Sequence, residues 1–237
     1  MKIIILAGGL GTRISEETGT KPKPMVSIGN KPIIWHLMSV FAKQGYSEFI
    51  LALGYKQEIV REWLQKFDNP LNWKIDPLDT GLDTQTGGRI KQCIEKYPNE
   101  RVIVTYGDGL ANVSINNLIN FHESHGKLCT VTAVRPPARF GHLCIENVKV
   151  TRFGEKVQSD EGWINGGFFV LEAEVAKFIE GDLDLFETGA LPKLAKDGEL
   201  MAFTHNGFWQ PMDTLREKNE LHKLALLDNP PWFDLKQ

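Results

Sequence analysis

Several things are missing from this sequence, and each absence removes a class of protein. Nowhere in the 237 residues is there an apolar stretch of the roughly 18 residues that a membrane-spanning helix needs. The first apolar run, Ile3 to Ala7, is too short for the core of a secretory leader. Cysteine is scarce: Cys93, Cys129 and Cys144 are all there is. An odd number without C-x-x-C spacing argues against a disulfide framework or a zinc site, and for reduced core thiols in a cytoplasmic protein. Positive charge is not in surplus either. Lys and Arg total 27 against 30 Asp and Glu, a net charge of −3, so recognition of nucleic acid by bulk electrostatics is excluded. Any phosphate this chain recognises must be gripped by a few placed cations and backbone amides. No repeat, low-complexity tract or linker-like break interrupts the chain, which reads as one domain over residues 1–237.

With 42% apolar and 24% charged residues, the sequence is that of a globular protein with a sizeable core. Lys2 to Ala7 reads as a buried strand ended by Gly-Gly. Pro32 to Lys43 carries Ile33, Ile34, Leu37, Met38 and Phe41 at helical spacing, stopped by Gly45. Glu48 to Leu53 predicts a strand and Gln57 to Phe67 a helix. Asp68 to Gly88 reads as turn-rich, followed by a helix over Arg89 to Lys96. Arg101 to Tyr106 is a strand running into Gly107-Asp108-Gly109. Leu128 to Val134, His142 to Ile145, Lys149 to Phe153 and Gly167 to Leu171 extend the sheet, with an antiparallel excursion near Phe140 to Phe153. Asp213 to Leu227 closes as a helix. Strands alternating with helices predict an α/β fold, a Rossmann-like doubly wound sheet with right-handed crossovers.

The stretch Gly8-Gly9-Leu10-Gly11-Thr12-Arg13 follows the first strand directly. It is not the P-loop pattern GxxxxGK[ST]. A dinucleotide fingerprint starts plausibly at Gly9 and Gly11 but meets Ile14 where its third glycine belongs, and Lys31-Pro32 where its acid belongs. A turn that merely joins strand to helix explains the glycines but not Arg13, Lys21 and Lys23. Amides freed of Cβ crowding wrap phosphate oxygens, and Arg13 adds a planar, permanently charged fork. Pro22 and Pro24 restrict the backbone around Lys23 and aim a flexible lysine at one point. The loop reads as a triphosphate site.

At this point the chain resembles the sugar-nucleotide pyrophosphorylases, a nucleotidyltransferase family, and within them the glucose-1-phosphate cytidylyltransferase branch. The resembling segments are LAGGLGTR…KPKPM, KPIIWH, TGGR, TYGDG, RFGHL, INGGFFVL and GFWQPMDT, in order from Met1 to about Arg216. The resemblance implies a single-domain mixed sheet of the nucleotide-diphospho-sugar transferase type. It implies transfer of a cytidylyl group from CTP to a sugar 1-phosphate with Mg²⁺ as cofactor, and assembly as a homo-oligomer.

Residue by residue, it implies that Leu6, Ala7, Gly8, Gly9, Gly11, Thr12 and Arg13 hold the nucleotide, Arg13 taking the β- and γ-phosphates. Asp108 and Asp213 would be the metal pair, although an Asp ahead of a helix is more often an N-cap. Lys23 and Lys156 would grip the transferred and attacking phosphates, each holding a phosphate and not a core contact. Glu155 and Asn165 would bind sugar hydroxyls, with the Gly166 backbone, and Gly141 would let the backbone approach the sugar ring. Thr86, Gly87, Gly88 and Arg89 would read the base: cytosine offers acceptors at O2 and N3 to an arginine donor, and its amino group to backbone carbonyls. Asp182 and Asp184 have no such context and read as solvated surface.

Two departures stand out. Val157 replaces the proline that usually follows Lys156, and the stretch between Trp73 and Asp79 is shorter than in that branch. Trp163, beside the sugar segment, bears on which sugar is accepted. Two alternatives stay open from the residues alone: the same transfer with another base or acceptor, and a non-catalytic sensor of nucleotide sugars.

Overall fold

A computed structural model describes residues 1–69, 72–136, 142–146, 148–154 and 162–235; of Arg13, 142–146 and 152–154 it describes the backbone alone. Seven strands form the main sheet: β1 (Lys2–Leu6), β2 (Glu48–Leu53), β3 (Lys74–Asp79), β4 (Val102–Tyr106), β5 (Cys129–Val134), β6 (Ile164–Leu171) and β7 (Leu200–His205). Their order across the sheet is β7-β5-β6-β4-β1-β2-β3. β1 runs parallel to β2 and β4, with Ile4 beside Ile50 and Val104, and β2 runs parallel to β3. β6 alone runs the other way, with Phe169 opposite Val104 and Val131. The sheet is the expected mixed, doubly wound one.

The helices, single turns left aside, are α1 (Ile33–Ala42), α2 (Gln57–Lys66), α3 (Thr86–Lys96), α4 (Ile115–His125), α5 (Ala190–Lys196) and α6 (Leu215–Ala225). Because strand side chains alternate, β1 sends Ile3 and Ile5 into one core and Ile4 into the other. The first core gathers Leu37 of α1, Leu118 of α4 and Leu221 of α6; the second gathers Ile90 of α3 and Leu194 of α5. A strand with helices on both faces has no polar side, which is why Ile3 to Leu6 is one unbroken apolar run.

Several elements differ from expectation: β6 begins at Ile164 and not at Gly167, and β7, α4 and α5 are additions. KIDPLD, expected within a turn-rich stretch, is strand β3 at the sheet edge. It is half-exposed and carries Pro77, and only an edge tolerates a proline there. It runs straight on from Trp73, so the short segment between Trp73 and Asp79 is sheet. The helix expected from Arg89 begins at Thr86 and so contains Gly87 and Gly88. The expected antiparallel excursion is the hairpin of His142–Glu146 with Lys149–Gly154.

The chain passes from β1 out to β2 and β3, then returns to place β4 on the other side of β1. The carboxyl ends of β1 and β4 flank that reversal, the position where open α/β sheets take ligands. A short ladder pairs Gly109–Ala111 with Trp209–Pro211 and carries the distant Met212-Asp213 segment there; the Met212 N–H donates to the Asp108 carbonyl at 2.8 Å.

Candidate active site

A cavity opens at that reversal. The glycine loop lines it with Leu6, Ala7, Gly8, Gly9, Gly11 and Thr12. Lys23, Pro24, Tyr106, Gly107, Asp108 and Asp213 form its floor and far side, and Thr84, Gln85, Thr86 and Arg89 its other wall. Among the expected nucleotide residues, Gly87 and Gly88 stand outside it.

The three loop glycines are glycine for different reasons. Gly11 has φ +66, a left-handed conformation that favours glycine, and a Cβ there would lie 3.1 Å from the Cβ of Lys23. A Cβ on Gly8 would fall 2.3 Å from the Arg89 guanidinium. Gly9 has neither constraint: a Cβ there would meet no heavy atom within 4 Å. Chain geometry therefore accounts for Gly8 and Gly11, but not for Gly9, whose missing side chain leaves open space over the cavity.

Arg89 has a different place from the one expected of it. It is buried between Gly8 and Gly54, where a Cβ on Gly54 would stand 2.6 Å from the guanidinium. Its Nη1 donates to Leu53 O at 2.9 Å, Thr80 Oγ1 at 2.5 Å and Gly81 O at 2.8 Å. Its Nη2 donates to Gly8 O at 3.1 Å and Leu82 O at 3.3 Å. The terminal nitrogens thus serve five protein oxygens, and the fork fastens the glycine loop to the end of β2 and to the 80–82 turn. Arg89 was expected to donate to a cytosine; it lines the cavity, but its terminal nitrogens are engaged by the chain. Because C=O and N–H lie trans across a peptide, turning the Gly8 carbonyl toward Arg89 turns the Gly9 amide the other way.

Gly87 and Gly88, expected beside it, also bond within the chain. Both amides donate to the Asp184 carbonyl, at 2.9 and 3.3 Å, and a Cβ on Gly88 would strike the Asp182 backbone at 2.5 Å. The two glycines let α3 sit directly on the 182–184 turn. Asp182 and Asp184 are therefore bonded parts of a packed turn: Asp182 accepts from Gln92 at 2.9 Å, and Asp184 accepts from the Glu180 amide at 3.1 Å.

On the cavity floor, the Lys23 ammonium donates to Asp108 Oδ2 and to Asp213 Oδ1, each at 2.7 Å. Pro22, extended at φ −69, leads into a single turn of 3₁₀ helix that buries Lys23. Burial works against the ammonium charge, but the two carboxylates outweigh it and hold the Lys23 pKa above the ordinary lysine value. Lys23 is buried, and its two partners are carboxylates of the cavity, not core side chains. Lys21 turns away to Glu17, 3.9 Å off. Asp213 is not the N-cap of α6. Thr214 is, in a capping box with Glu217, and this leaves the Asp213 carboxylate for the cavity. Among the described residues no three metal-ligating side chains cluster. A pair of carboxylates converging on one cation is nonetheless the donor set Mg²⁺ accepts when phosphate oxygens and water complete its shell, and here an ammonium stands at the point of convergence.

Tyr106 lines the cavity and ties it to a second group of residues beside it, which holds Asn165 and Gly166. Gly167, at φ +78 inside a register shift of β6, lets the Tyr106 ring lie against its Cα, where a Cβ would stand 2.4 Å from the ring. Asn165 and Gly166 therefore sit within β6, not in a turn. The Asn165 amide donates to the Tyr106 hydroxyl at 3.2 Å. The Gly166 carbonyl accepts from the Trp209 indole at 2.8 Å. The Tyr106 hydroxyl donates to Glu187 at 2.5 Å, and Thr86 donates to the second oxygen of Glu187 at 2.6 Å. Burial, then the Glu187 charge, pushes the Tyr106 pKa well above the ordinary tyrosine value, so this hydroxyl keeps its proton. Trp163 is exposed, with the Arg135 guanidinium 4.6 Å from its ring. Gly141, Glu155 and Lys156 lie outside the described residues, as does the side chain of Arg13.

Sequence reasoning missed Glu187, Gly54, Gln85 and Trp209. Tyr106 and Trp209 stand within TYGDG and GFWQPMDT, so those segments held a signal. Glu187 had none, since both its partners lie at least 81 residues away.

A glycine loop at a topological switch point, floored by a lysine and two aspartates, defines a nucleotidyltransferase. The nucleotidyl transferase family matches residues 2–227, and the chain belongs to it. It is 45% identical to glucose-1-phosphate cytidylyltransferase of Salmonella typhi, over 98% of each chain. That alignment runs to 253 positions against the 237 residues here, so the relative carries residues this chain lacks. It is 33% identical to mannose-1-phosphate guanyltransferase of Emericella nidulans, spanning 62% of that protein. The crystal structure of HddC from Yersinia pseudotuberculosis complexed with GMP-PN superposes with a TM-score of 0.75 at 30% identity, covering 94% of this chain and 98% of that one.

Proposed function

We propose that this enzyme transfers a cytidylyl group from CTP to α-D-glucose 1-phosphate, releasing pyrophosphate. The observation that carries the reading is the meeting of Asp108 and Asp213 on Lys23 in the cavity that the open Gly9 also lines. The choice of cytosine and glucose rests on the 45% identity with the Salmonella typhi enzyme; relatives at 33 and 30% bear names or ligands of the guanine series.

In this reading a phosphate oxygen of the sugar 1-phosphate bonds to the α-phosphorus of CTP as the bond to the α–β bridging oxygen breaks. The nucleophile is already an anion, so no general base is needed. The difficulty is bringing two polyanions together, and cations meet it by positioning and charge neutralisation. Lys23 holds the transferred phosphate, Lys156 the attacking one, and Arg13 with the loop amides the departing pyrophosphate. Asp108 and Asp213 would hold Mg²⁺, which would supply further neutralisation of phosphate charge. Thr84 and Gln85, on the wall that Arg89 secures, take over the base-reading place expected of Gly87 and Gly88. Asn165 and Glu155 hold the hexose.

Asp108→Asn tests the assignment. Pyrophosphate release should fall by orders of magnitude while the melting temperature stays near the parent's, and EDTA should abolish release by the parent. Near-parental turnover in the variant removes Asp108 from the site.

A further inference from the structure

Glu187 belongs to none of the motifs and does not line the cavity, yet two hydroxyls that do line it end on its carboxylate. The hydrogen bonds run in one direction. The Gly167 amide donates to Asn165 Oδ1 at 2.8 Å, which fixes the Asn165 amide with its nitrogen toward Tyr106. Asn165 Nδ2 donates to the Tyr106 hydroxyl, and that hydroxyl donates to Glu187 Oε1. From the other side the Phe186 amide donates to Thr86 Oγ1 at 3.0 Å, and Thr86 donates to Glu187 Oε2. A carboxylate only accepts, so it is the group on which both chains terminate.

The two halves do not depend on it equally. The start of α3 is also held by the Gly87 and Gly88 amides on the Asp184 carbonyl, and Thr86 itself by Phe186. The Tyr106 hydroxyl has Glu187 and Asn165 as its recorded partners. If Glu187 is lost, the nucleotide wall keeps its other ties and Asn165 keeps the Gly167 amide, while the Tyr106 hydroxyl loses the acceptor that keeps its oxygen turned to Asn165.

We propose that Glu187 is a positioning residue for the acceptor half: through Tyr106 it fixes the Asn165 amide for the sugar 1-phosphate. This rests on the reading of Asn165 as an acceptor-binding residue. A glutamine at 187 keeps the shape but turns one acceptor into a donor, facing a hydroxyl that already accepts a hydrogen bond. A charge-assisted hydrogen bond of this kind corresponds to about a tenfold change in binding.

Steady-state pyrophosphate release from CTP and α-D-glucose 1-phosphate, with melting temperatures, tests this in Glu187→Gln, Tyr106→Phe, their double variant and Asn165→Ala. The sugar 1-phosphate KM should rise about tenfold in Glu187→Gln and in Tyr106→Phe, with the CTP KM within about twofold of the parent. The double variant should be no worse than either single, because the two act in series. An unchanged acceptor KM in both singles overturns the inference, and so does an equal rise in both KM values with a fall in melting temperature, which marks a structural brace. If Glu187→Gln does not fold, Tyr106→Phe alone decides by the same KM split. An acceptor KM raised in Asn165→Ala but not in Glu187→Gln overturns the role of Glu187 and leaves the acceptor site standing. An acceptor KM unmoved in Asn165→Ala overturns both.

Discussion

Lys23 and Asp108 meet at 2.7 Å across 85 residues of sequence, and the same ammonium reaches Asp213 at the same distance. The lysine that the loop aims at phosphate is, in the free protein, the counter-ion of two carboxylates. Its removal therefore has two effects. Lys23→Met should abolish most turnover and also lower stability by about 1–3 kcal/mol in the absence of ligands, because two partly buried acids are left facing each other. Urea unfolding without Mg²⁺ or nucleotide measures this. Adding Asp108→Asn to Lys23→Met should restore part of the loss; a parent-like midpoint for Lys23→Met contradicts the pairing.

Arg89 donates to five oxygens of the chain. Arg89→Lys cannot serve five oxygens from one ammonium. It should cost about 2–4 kcal/mol and lower kcat/KM for CTP and UTP by similar factors. A selective loss of CTP would return Arg89 to base recognition.

Gly9 and Gly8 separate binding from folding. Gly9→Ala adds its methyl group to open space, so its melting temperature should match the parent's while turnover falls at least about tenfold through a clash with bound phosphate. Gly8→Ala drives a methyl into the Arg89 guanidinium and should lower the melting temperature as well. Parental activity in Gly9→Ala removes the triphosphate from the loop.

A pair of histidines far from these motifs sets a pH dependence. The Lys127 amide donates to His125 Nδ1 at 2.9 Å, so the His125 proton sits on Nε2 and points to Thr130 Oγ1 at 2.8 Å. Thr130 then gives its single proton to His122 Nδ1 at 2.8 Å, leaving the His122 Nε2 proton for Glu172 at 3.2 Å. Both rings are neutral, and burial, first among the causes, lowers both pKa values below the ordinary histidine value. Below the unfolded value of about 6.5 the unfolded chain binds protons that the folded chain refuses, so stability falls as pH falls. The slope approaches about 1.4 kcal/mol per pH unit for each proton, and the fall ends below the depressed folded values. Chemical denaturation between pH 7.5 and 5 should show it, with a smaller slope in His122→Gln. A flat profile contradicts the neutral chain.

Much of this was legible in the sequence because it is local. KIIIL followed by Gly-Gly declares a buried strand and a loop within a dozen residues, and the proline-flanked Lys23 announces an aimed cation. KIDPLD was read as turns because an edge strand lacks the apolar run of its buried neighbours. Thr86-Gly87-Gly88 hid a helix start because two glycines suppress helical propensity, and their packing on Asp182 and Asp184 is a tertiary fact. Asp213 looked like a cap because Thr214, which is the cap, stands one residue on. Arg89 and Glu187 were out of reach for a single reason: what each does is decided by carbonyls and hydroxyls brought from distant strands.

The central claim is nucleotidyl transfer to a sugar 1-phosphate, with cytosine as the base. The most direct measurement is pyrophosphate release with CTP, UTP, dTTP, ATP and GTP, each against a panel of sugar 1-phosphates, with products identified by mass. CTP with α-D-glucose 1-phosphate should give pyrophosphate and CDP-glucose in equal amounts, at least about tenfold faster than UTP, as one mismatched hydrogen bond in the base site requires. An outright preference for another nucleotide contradicts the cytidylyl assignment, and no pyrophosphate from any pair contradicts the account as a whole.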